Sequence, residues 1–390
     1  MPDHLVHAYQ SLPVSFTHGD GCYLWDNAGK QYFDALCGIS VTNLGHNYPP
    51  LTAAIQEQAA TLLHTSNLYS ISWQQKLADL LCRSAGMDRV FFANSGAEAN
   101  EAAIKLARLY GHQHDIDNPH IVVMQHGFHG RTMATLSATG SRKVQAGFEP
   151  LVSGFLRAPY DDIDAIEAIA ANNRNVVAIL VEPVQGEAGI VIPGRGYLQA
   201  LRRICDQQNW LLMLDEVQTG MARSGKLFAC QHEAVVPDVM TLAKALGNGV
   251  PVGACLCSGV AADVFQPGKH GSTFGGNPLA SRAAFTVLES MLEHSIADNA
   301  AQRGQQLYDA LRQGLAGNQQ VAGIRHLGLL LAVEMKSPCQ ELVSRALQQG
   351  LLINVTAEKV IRLLPPLIID EKQTAQLADR LVDCINHFTL

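Results

Sequence analysis

Charged side chains are scarce in this chain of 390 residues: Asp, Glu, Lys and Arg make up 16% of it, while apolar residues make up 47%. A typical soluble domain carries about 25% charge. Few charges with ordinary hydrophobicity predict extensive buried surface, part of it at a subunit interface. Basic excess is also missing. The formal net charge is −7, which excludes attraction of nucleic acid or an anionic membrane through net charge. No apolar run approaches the roughly 18 residues of a membrane span. The opening MPDHLVHAYQ has neither a basic stretch nor an apolar stretch behind it, so a secretory signal is not expected. The nine cysteines are odd in number and form no C-x-x-C pair. That pattern reads as buried thiols in a reducing cytoplasm. His112, His114 and Asp115 follow a helical stretch and lead into a polar loop, so no metal site is assigned to them. Low-complexity tracts and internal repeats are absent too.

What is present is an alternation. The first ~45 residues are short-stranded, with turns at Gly19-Asp20-Gly21 and Asn27-Ala28-Gly29. Helical and strand-like segments then alternate. RVFFA, HIVVM, NVVAILV, WLLMLD and DVMTL are short, apolar and rich in branched residues, and each is bounded by polar or glycine punctuation. Near-continuous apolar strands separated by helices predict a mostly parallel sheet covered on both faces. Beyond GSTFGGNPLA come a long helical region, short strands and a last helix, the texture of a smaller α+β unit. The expected division is an N-terminal segment (1–45) packing with the small domain, a large domain (46–275) and a small C-terminal domain (276–390). Length alone agrees with two or three domains.

The candidate site residues fall at or just past strand ends, where ligands of parallel sheets bind. Asp215 ends WLLMLD, and Lys244 follows DVMTLA. Lys can form an imine with an aldehyde cofactor, and Asp can keep a pyridine nitrogen protonated, which is the pyridoxal-phosphate arrangement. Alone, Lys244 would read as a solvated surface residue. Asn94-Ser95-Gly96-Ala97-Glu98 joins a strand to a helix. Free N–H groups there suit a phosphate; alone, the motif reads more readily as an ordinary capped helix. In His126-Gly127-Phe128-His129-Gly130-Arg131, Phe128 could stack on a flat ring and Arg131 could grip a carboxylate in a fork; the alternative is a surface turn. Ser272 and Thr273 lie in a glycine-rich loop that could hold phosphate or merely link domains. Glu182, Glu187 and Arg362 sit in apolar company and need partners, whether structural or functional. A nucleotide-binding dehydrogenase would require G-x-G-x-x-G after a strand, and Gly19-Asp20-Gly21 and Gly247-Asn248-Gly249 lack the third glycine.

Together the segments GDGCYLWDNAGKQYFDALCGISVTNLGHNYP, FFANSGAEANEAAIKLAR, GFHGRT, VEPVQGEAG, LDEVQTGMARSGK, AKALGNGVPVGA, HGSTFGGNPLA and RLLPPLII resemble the class III aminotransferases, pyridoxal-phosphate enzymes of fold type I, in the family's own order. Within the family they are most similar to the acetylornithine aminotransferases. The resemblance implies an α/β fold, a homodimer with active sites at the subunit interface, and pyridoxal 5′-phosphate as cofactor. Lys244 would hold the cofactor through an imine, and Asp215 would pair with the ring nitrogen. Gln218 would lie near the ring hydroxyl and Phe128 would stack on the ring. Ser95, Gly96, Ala97, Glu182, Val217 and Thr273 complete the implied cofactor set, with Gly96 and Ala97 giving N–H groups to phosphate. Ser272 and Thr273 would reach the neighbouring subunit's site. Arg131 would bind the donor's α-carboxylate, and Arg362 that of glutamate or 2-oxoglutarate. Glu187 would cover Arg362 while an ω-amine donor is bound.

The implied reaction is ping-pong transamination of N2-acetyl-L-ornithine with 2-oxoglutarate, giving N-acetyl-L-glutamate 5-semialdehyde and L-glutamate, in arginine biosynthesis. Other acylated donors (succinylornithine, N-succinyl-diaminopimelate), free ornithine, 4-aminobutyrate and a non-catalytic binding protein stay open. Ile39 stands where ornithine-specific relatives carry a tyrosine, and an apolar residue suits an acylated amine better than a buried ammonium. Tyr9 matches a second tyrosine of those relatives and argues the other way. Ala222 and Asn248 stand where relatives usually have glycine, and Leu330 or Leu331 alters the usual texture of GLLLAVE.

Overall fold

A computed structural model describes residues 4–388; the first three residues of the opening segment lie outside them. Strands β1 (Phe16–Asp20), β2 (Tyr23–Asp26) and β3 (Gln31–Asp34) form a small meander. Seven further strands build the main sheet: β4 (Arg89–Ala93), β5 (His120–Met124), β6 (Phe155–Ala158), β7 (Val176–Val181), β8 (Leu211–Asp215), β9 (Val239–Leu242) and β10 (Gly253–Cys257). Their order is β4-β10-β9-β8-β7-β5-β6. β10 alone runs against the direction of the other six strands. The mostly parallel α/β sheet expected from the sequence is thus present. Beyond it lie β11 (Val321–Leu327), β12 (Leu330–Met335), β13 (Leu351–Leu352), β14 (Asn354–Thr356) and β15 (Val360–Leu363). Of these, β11-β12-β15-β14 form an antiparallel sheet, while β13 pairs in parallel with β3.

The strands are apolar throughout because both sheet faces are covered. Val122, Met124, Ile179, Val181, Leu212, Leu214 and Met240 pack into one core. Their sequence neighbours Ile121, Val123, Ala178, Leu180, Leu211, Met213 and Val239 pack into a second core. Side chains alternate between faces with period two, so a doubly covered strand needs an apolar residue at every position. Each such Val, Leu or Ile contributes about 1.5–3 kcal/mol on burial. Helix Gly96–Gln113 covers the second face with Ala99, Ala102, Ala103, Leu106, Ala107 and Tyr110, an i, i+3, i+4, i+7 stripe whose small residues let it lie close to the sheet. Helix Pro278–Glu293 packs on helices Pro49–Thr61 and Ser72–Ala85. Among the described residues no helix is long and apolar enough to cross a membrane.

Strand direction gathers the site. The chain leaves β4, β5, β7, β8 and β9 at one edge of the sheet, where Ser95, Phe128, Glu182, Asp215 and Lys244 all line one cavity. Because β10 runs the other way, the residues that enter it, Val250 to Val252, reach the same edge.

Candidate active site

The cavity has a volume of about 450 Å³. Ser95, Gly96, Ala97, Phe128, Arg131, Glu182, Glu187, Asp215, Val217, Gln218 and Lys244 all line it. Arg362 stands behind Glu187. Ser272 and Thr273 do not line it: Ser272 borders a separate depression with Asn67 and His270, and Thr273 is exposed. The geometry also departs from the substrate argument made at Ile39. Ile39 stays 37% exposed and outside the cavity, where Val41 takes the place at the wall. Tyr9 is 90% exposed and contributes no wall either.

At the helix start, Ser95 accepts the amide of Glu98 at 3.1 Å, half of the anticipated capping box. The Glu98 carboxylate turns to the amide of Asn94 instead, at 2.8 Å. The amides of Gly96 and Ala97 have no acceptor among the described residues. A Cβ on Gly96 would lie 2.8 Å from a Val217 methyl, so only glycine lets the helix start approach the β8 loop this closely. Gly130, with φ of +139°, is likewise confined to glycine, and its absent Cβ leaves room for Thr135 and Ala97.

Asp215 is 4% exposed and fully engaged. Its Oδ2 accepts from Asn100 Nδ2 and bonds His129 Nδ1, both at 2.8 Å, and its Oδ1 accepts the Val217 amide at 3.1 Å. Asn100 is itself fixed: Thr241 Oγ1 donates to its Oδ1 at 2.7 Å. Sequence reading assigned no role to Asn100, His129 or Thr241. The signal for His129 lay inside GFHGRT; Asn100 was a lone polar residue on the apolar face of a helix. The neighbouring Glu216 is turned away and holds the amides of Ala229 and Cys230 at 2.8 Å.

Glu182 accepts the amide of Phe128 at 2.8 Å and that of Gly186 at 3.3 Å. It thereby ties the Phe128 loop to the loop carrying Glu187. Burial, with the Asp215 charge nearby, pushes its pKa up to about 7 against the pull of His129. Arg131 places its guanidinium carbon 5.7 Å from the centre of the Phe128 ring. Arg362, on β15 and 0% exposed, bonds Glu187 Oε1 at 2.7 Å and Asn354 Oδ1 at 3.3 Å. Burial alone would raise the Glu187 carboxyl, but the charge and hydrogen bond of Arg362 hold it below its usual range. Lys244 follows β9 with φ of +46°, which swings its side chain into the cavity. Burial lowers its pKa; Glu187 opposes that shift and Arg362 adds to it. A lowered pKa favours the neutral amine, the form that attacks a carbonyl or removes a proton.

The sequence matches the class-III aminotransferase family over residues 5–385. It is 54% identical to an acetylornithine aminotransferase of Nitrosomonas europaea over 385 residues, covering 99% of this chain and 98% of that one. It is 50% identical to acetylornithine aminotransferase 1 of Bordetella pertussis over 388 residues, covering 100% and 99%. Among solved structures, an ornithine aminotransferase from Toxoplasma gondii superimposes with a TM-score of 0.95 at 35% identity, covering 98% of this chain and 92% of that one. An acetylornithine aminotransferase from Elizabethkingia anophelis gives 0.89 at 35% identity, covering 99% and 97%. With a lysine after one parallel strand, an aspartate ending the next and a helix start aimed at the same cavity, the chain belongs to the class-III aminotransferases, which are pyridoxal-phosphate-dependent enzymes of fold type I.

Proposed function

We propose that the protein transfers the terminal amino group of N2-acetyl-L-ornithine to 2-oxoglutarate. The observation that carries this reading is the convergence of Lys244, Asp215, Arg131 and the Arg362–Glu187 pair on one cavity, together with full-length similarity to acetylornithine aminotransferases.

The cavity fits pyridoxal phosphate on its own chemistry. The two acceptor-free amides of Gly96 and Ala97 suit a phosphate dianion at a helix start. Gln218 Oε1 is buried without a partner among the described residues and suits a hydroxyl donor. Asp215, its carboxylate held by Asn100 Nδ2 and His129 Nδ1, suits a protonated pyridine nitrogen. When bound, the cofactor supplies an aldehyde for the amine and a ring that accepts an electron pair. Lys244 would hold it covalently through Nζ, Phe128 would cover one ring face, and Val217 would pack beside it.

The chain's own residues then divide the remaining work. Asp215 holds a proton at the pyridine nitrogen, and Asn100 and His129 keep its carboxylate in place. Arg131, at the cavity wall, takes the donor's α-carboxylate and so directs its far amine inward. Meanwhile Glu187 occupies Arg362, so that buried arginine does not draw the donor's carboxylate to the wrong end. Lys244 Nζ moves the proton off the carbon that bears the donor's terminal amine. For 2-oxoglutarate, Glu187 swings aside and Arg362 grips the α-carboxylate in a two-bond fork.

Both active sites are proposed to be shared across a homodimer. Leu62, Leu63, Leu68, Tyr69 and Phe274 leave large apolar side chains exposed beside the loop of Ser272 and Thr273. A second copy covering them would bring Ser272 and Thr273 to the partner's cavity. We also propose the division into residues 1–45, 46–275 and 276–390, supported by β3 pairing with β13 across that division, and a cytoplasmic location, supported by nine free cysteines.

A single-turnover titration tests the function. Purified holoenzyme is mixed separately with N2-acetyl-L-ornithine, N2-succinyl-L-ornithine, ornithine and 4-aminobutyrate, without a keto acid. The visible absorption of the bound cofactor is followed. Fastest loss of the band with acetylornithine is expected. Faster loss with another amine would reassign the substrate, and loss with none would leave a binding protein.

A further inference from the structure

Among the described residues the largest fully buried side chains are two arginines, Arg362 and one that the proposed mechanism does not use, Arg223, 0% exposed. Its donors reach four oxygens, and the guanidinium also interacts with the Cys37 thiol. Nε donates to Ser40 Oγ at 3.0 Å and Nη2 to Asn43 Oδ1 at 2.5 Å. Nη1 donates to the carbonyls of Leu329 at 2.9 Å and Pro365 at 2.7 Å. Among the described residues no carboxylate pairs directly with this buried cation, although the Asp34 charge favours it; a buried cation without a direct partner is costly to the fold.

It holds a left-handed turn. Cys37, Gly38, Ile39 and Ser40 have φ of 52°, 60°, 65° and 61° in succession. Two i to i−4 bonds close the turn, from the Ser40 amide to Leu36 O at 3.0 Å and from the Val41 amide to Cys37 O at 2.8 Å. L-residues visit this conformation singly, not in runs, because Cβ crowds the following carbonyl. Ile39, which is β-branched, tolerates it worst. Such a run persists only where its surroundings enforce it, and these sites cluster at ligand-binding regions. Asp34 holds one end, accepting the amides of Leu36 at 3.0 Å and Cys37 at 2.9 Å. Arg223 holds the other end, at Ser40, and the next residue, Val41, is a wall of the cavity. The same guanidinium grips the Pro365 carbonyl, three residues past Arg362.

We propose that Arg223 is a positioning residue that enforces the left-handed turn Cys37–Ser40 and thereby fixes the Val41 wall of the cavity, setting how tightly the amino donor binds. The inference rests on the aminotransferase reading. It also accounts for the exposed Ile39: the turn directs that side chain outward and gives the wall to Val41.

Holoenzyme variants Arg223→Lys, Ser40→Ala, Ile39→Gly and the double variant Arg223→Lys/Ile39→Gly test it. The visible cofactor band, Tm, and kcat and KM for N2-acetyl-L-ornithine are measured for each. Lysine keeps the charge but cannot span all four acceptors. Arg223→Lys is expected to keep the cofactor band and to raise KM about 10-fold, more than it lowers kcat. Adding Ile39→Gly makes positive φ easy and is expected to recover most of that loss. If Arg223→Lys and the double variant lower Tm equally and leave KM at the wild-type value, Arg223 serves the fold alone and the proposal falls. If Arg223→Lys does not fold, Ser40→Ala decides: a KM several-fold higher supports the proposal, and an unchanged KM overturns it. A wild-type enzyme whose band no amine removes would overturn the functional reading itself, and with it this inference.

Discussion

Lys244 illustrates how a reactive residue weakens the fold that carries it. Burial holds its pKa below the usual 10.5, so the unfolded chain binds that proton more tightly than the folded one. The cost is absent above pH 10.5, grows as pH falls from 10.5 to the folded value, and stays constant below it. Lys244→Met, similar in volume and uncharged, should therefore raise the Tm of the cofactor-free protein at neutral pH. The gain should shrink as pH rises towards 10.5. Thermal unfolding across that range checks it, and a Tm difference flat up to pH 10.5 would contradict the shift. Arg362 carries a second prediction. It is fully buried against Glu187 at 2.7 Å, and lysine cannot reproduce a planar fork. Arg362→Lys should raise KM for 2-oxoglutarate about 10- to 100-fold. KM for acetylornithine, whose carboxylate is assigned to Arg131, should change far less. Equal losses for both substrates would argue against separate carboxylate sites.

Among the local elements, the two positions where relatives usually carry glycine behave differently. Both residues have positive φ, 69° at Ala222 and 44° at Asn248. Asn248 does more than tolerate it: Oδ1 accepts the Leu44 amide at 2.7 Å and Nδ2 donates to the Gly45 carbonyl at 3.2 Å. The side chain ties the Lys244 loop to the segment following the left-handed turn. Asn248→Gly should destabilise the protein by about 1–2 kcal/mol through the lost hydrogen bonds. Ala222 makes no such bonds and is 0% exposed. Ala222→Gly relieves about 1 kcal/mol of left-handed strain and loses about 0.8 kcal/mol of methyl burial, so it should be nearly neutral. Urea unfolding of both variants separates the cases. The strands themselves were legible in sequence because a doubly covered sheet demands uninterrupted apolar runs. The left-handed turn was not, since CGIS carries one glycine and no pattern that distinguishes it from an ordinary loop. Asn100 and His129 escaped for a related reason. Their importance lies in reaching Asp215 from a helix and a loop far away along the chain, which no local spacing encodes.

At the scale of the whole molecule, the low charge content finds one outlet in the buried sheet and another on the surface. Leu68 is 86% exposed and Tyr69 69%, with Phe274 at 60% nearby. Patches of this kind mark interaction sites. If a second copy covers this one, Leu68→Asp should yield a smaller sedimenting species with lower activity and an unchanged far-UV spectrum. A variant that sediments as wild type would remove this patch from the interface. The separation of Ser272 and Thr273 from the cavity of their own chain belongs to this scale too. Their loop lies at β4, the edge strand of the main sheet.

By itself, the sequence determined the alternation of strands and helices, the family, and the identity of most residues around the cavity. The alternation follows from local causes, since apolar runs make strands and glycines make turns; the family and most of the residues around the cavity follow from the resemblance of eight ordered motifs to the class III aminotransferases. Only the tertiary structure decided how those residues are held. Asp215 is fixed by Asn100 and His129, Arg362 of β15 meets Glu187 of the loop after β7, and Val41 rather than Ile39 lines the wall because Arg223 and Asp34 enforce a backbone turn that L-residues avoid. Such contacts join positions far apart in the chain, and their free energy depends on distance and burial, which exist only after folding.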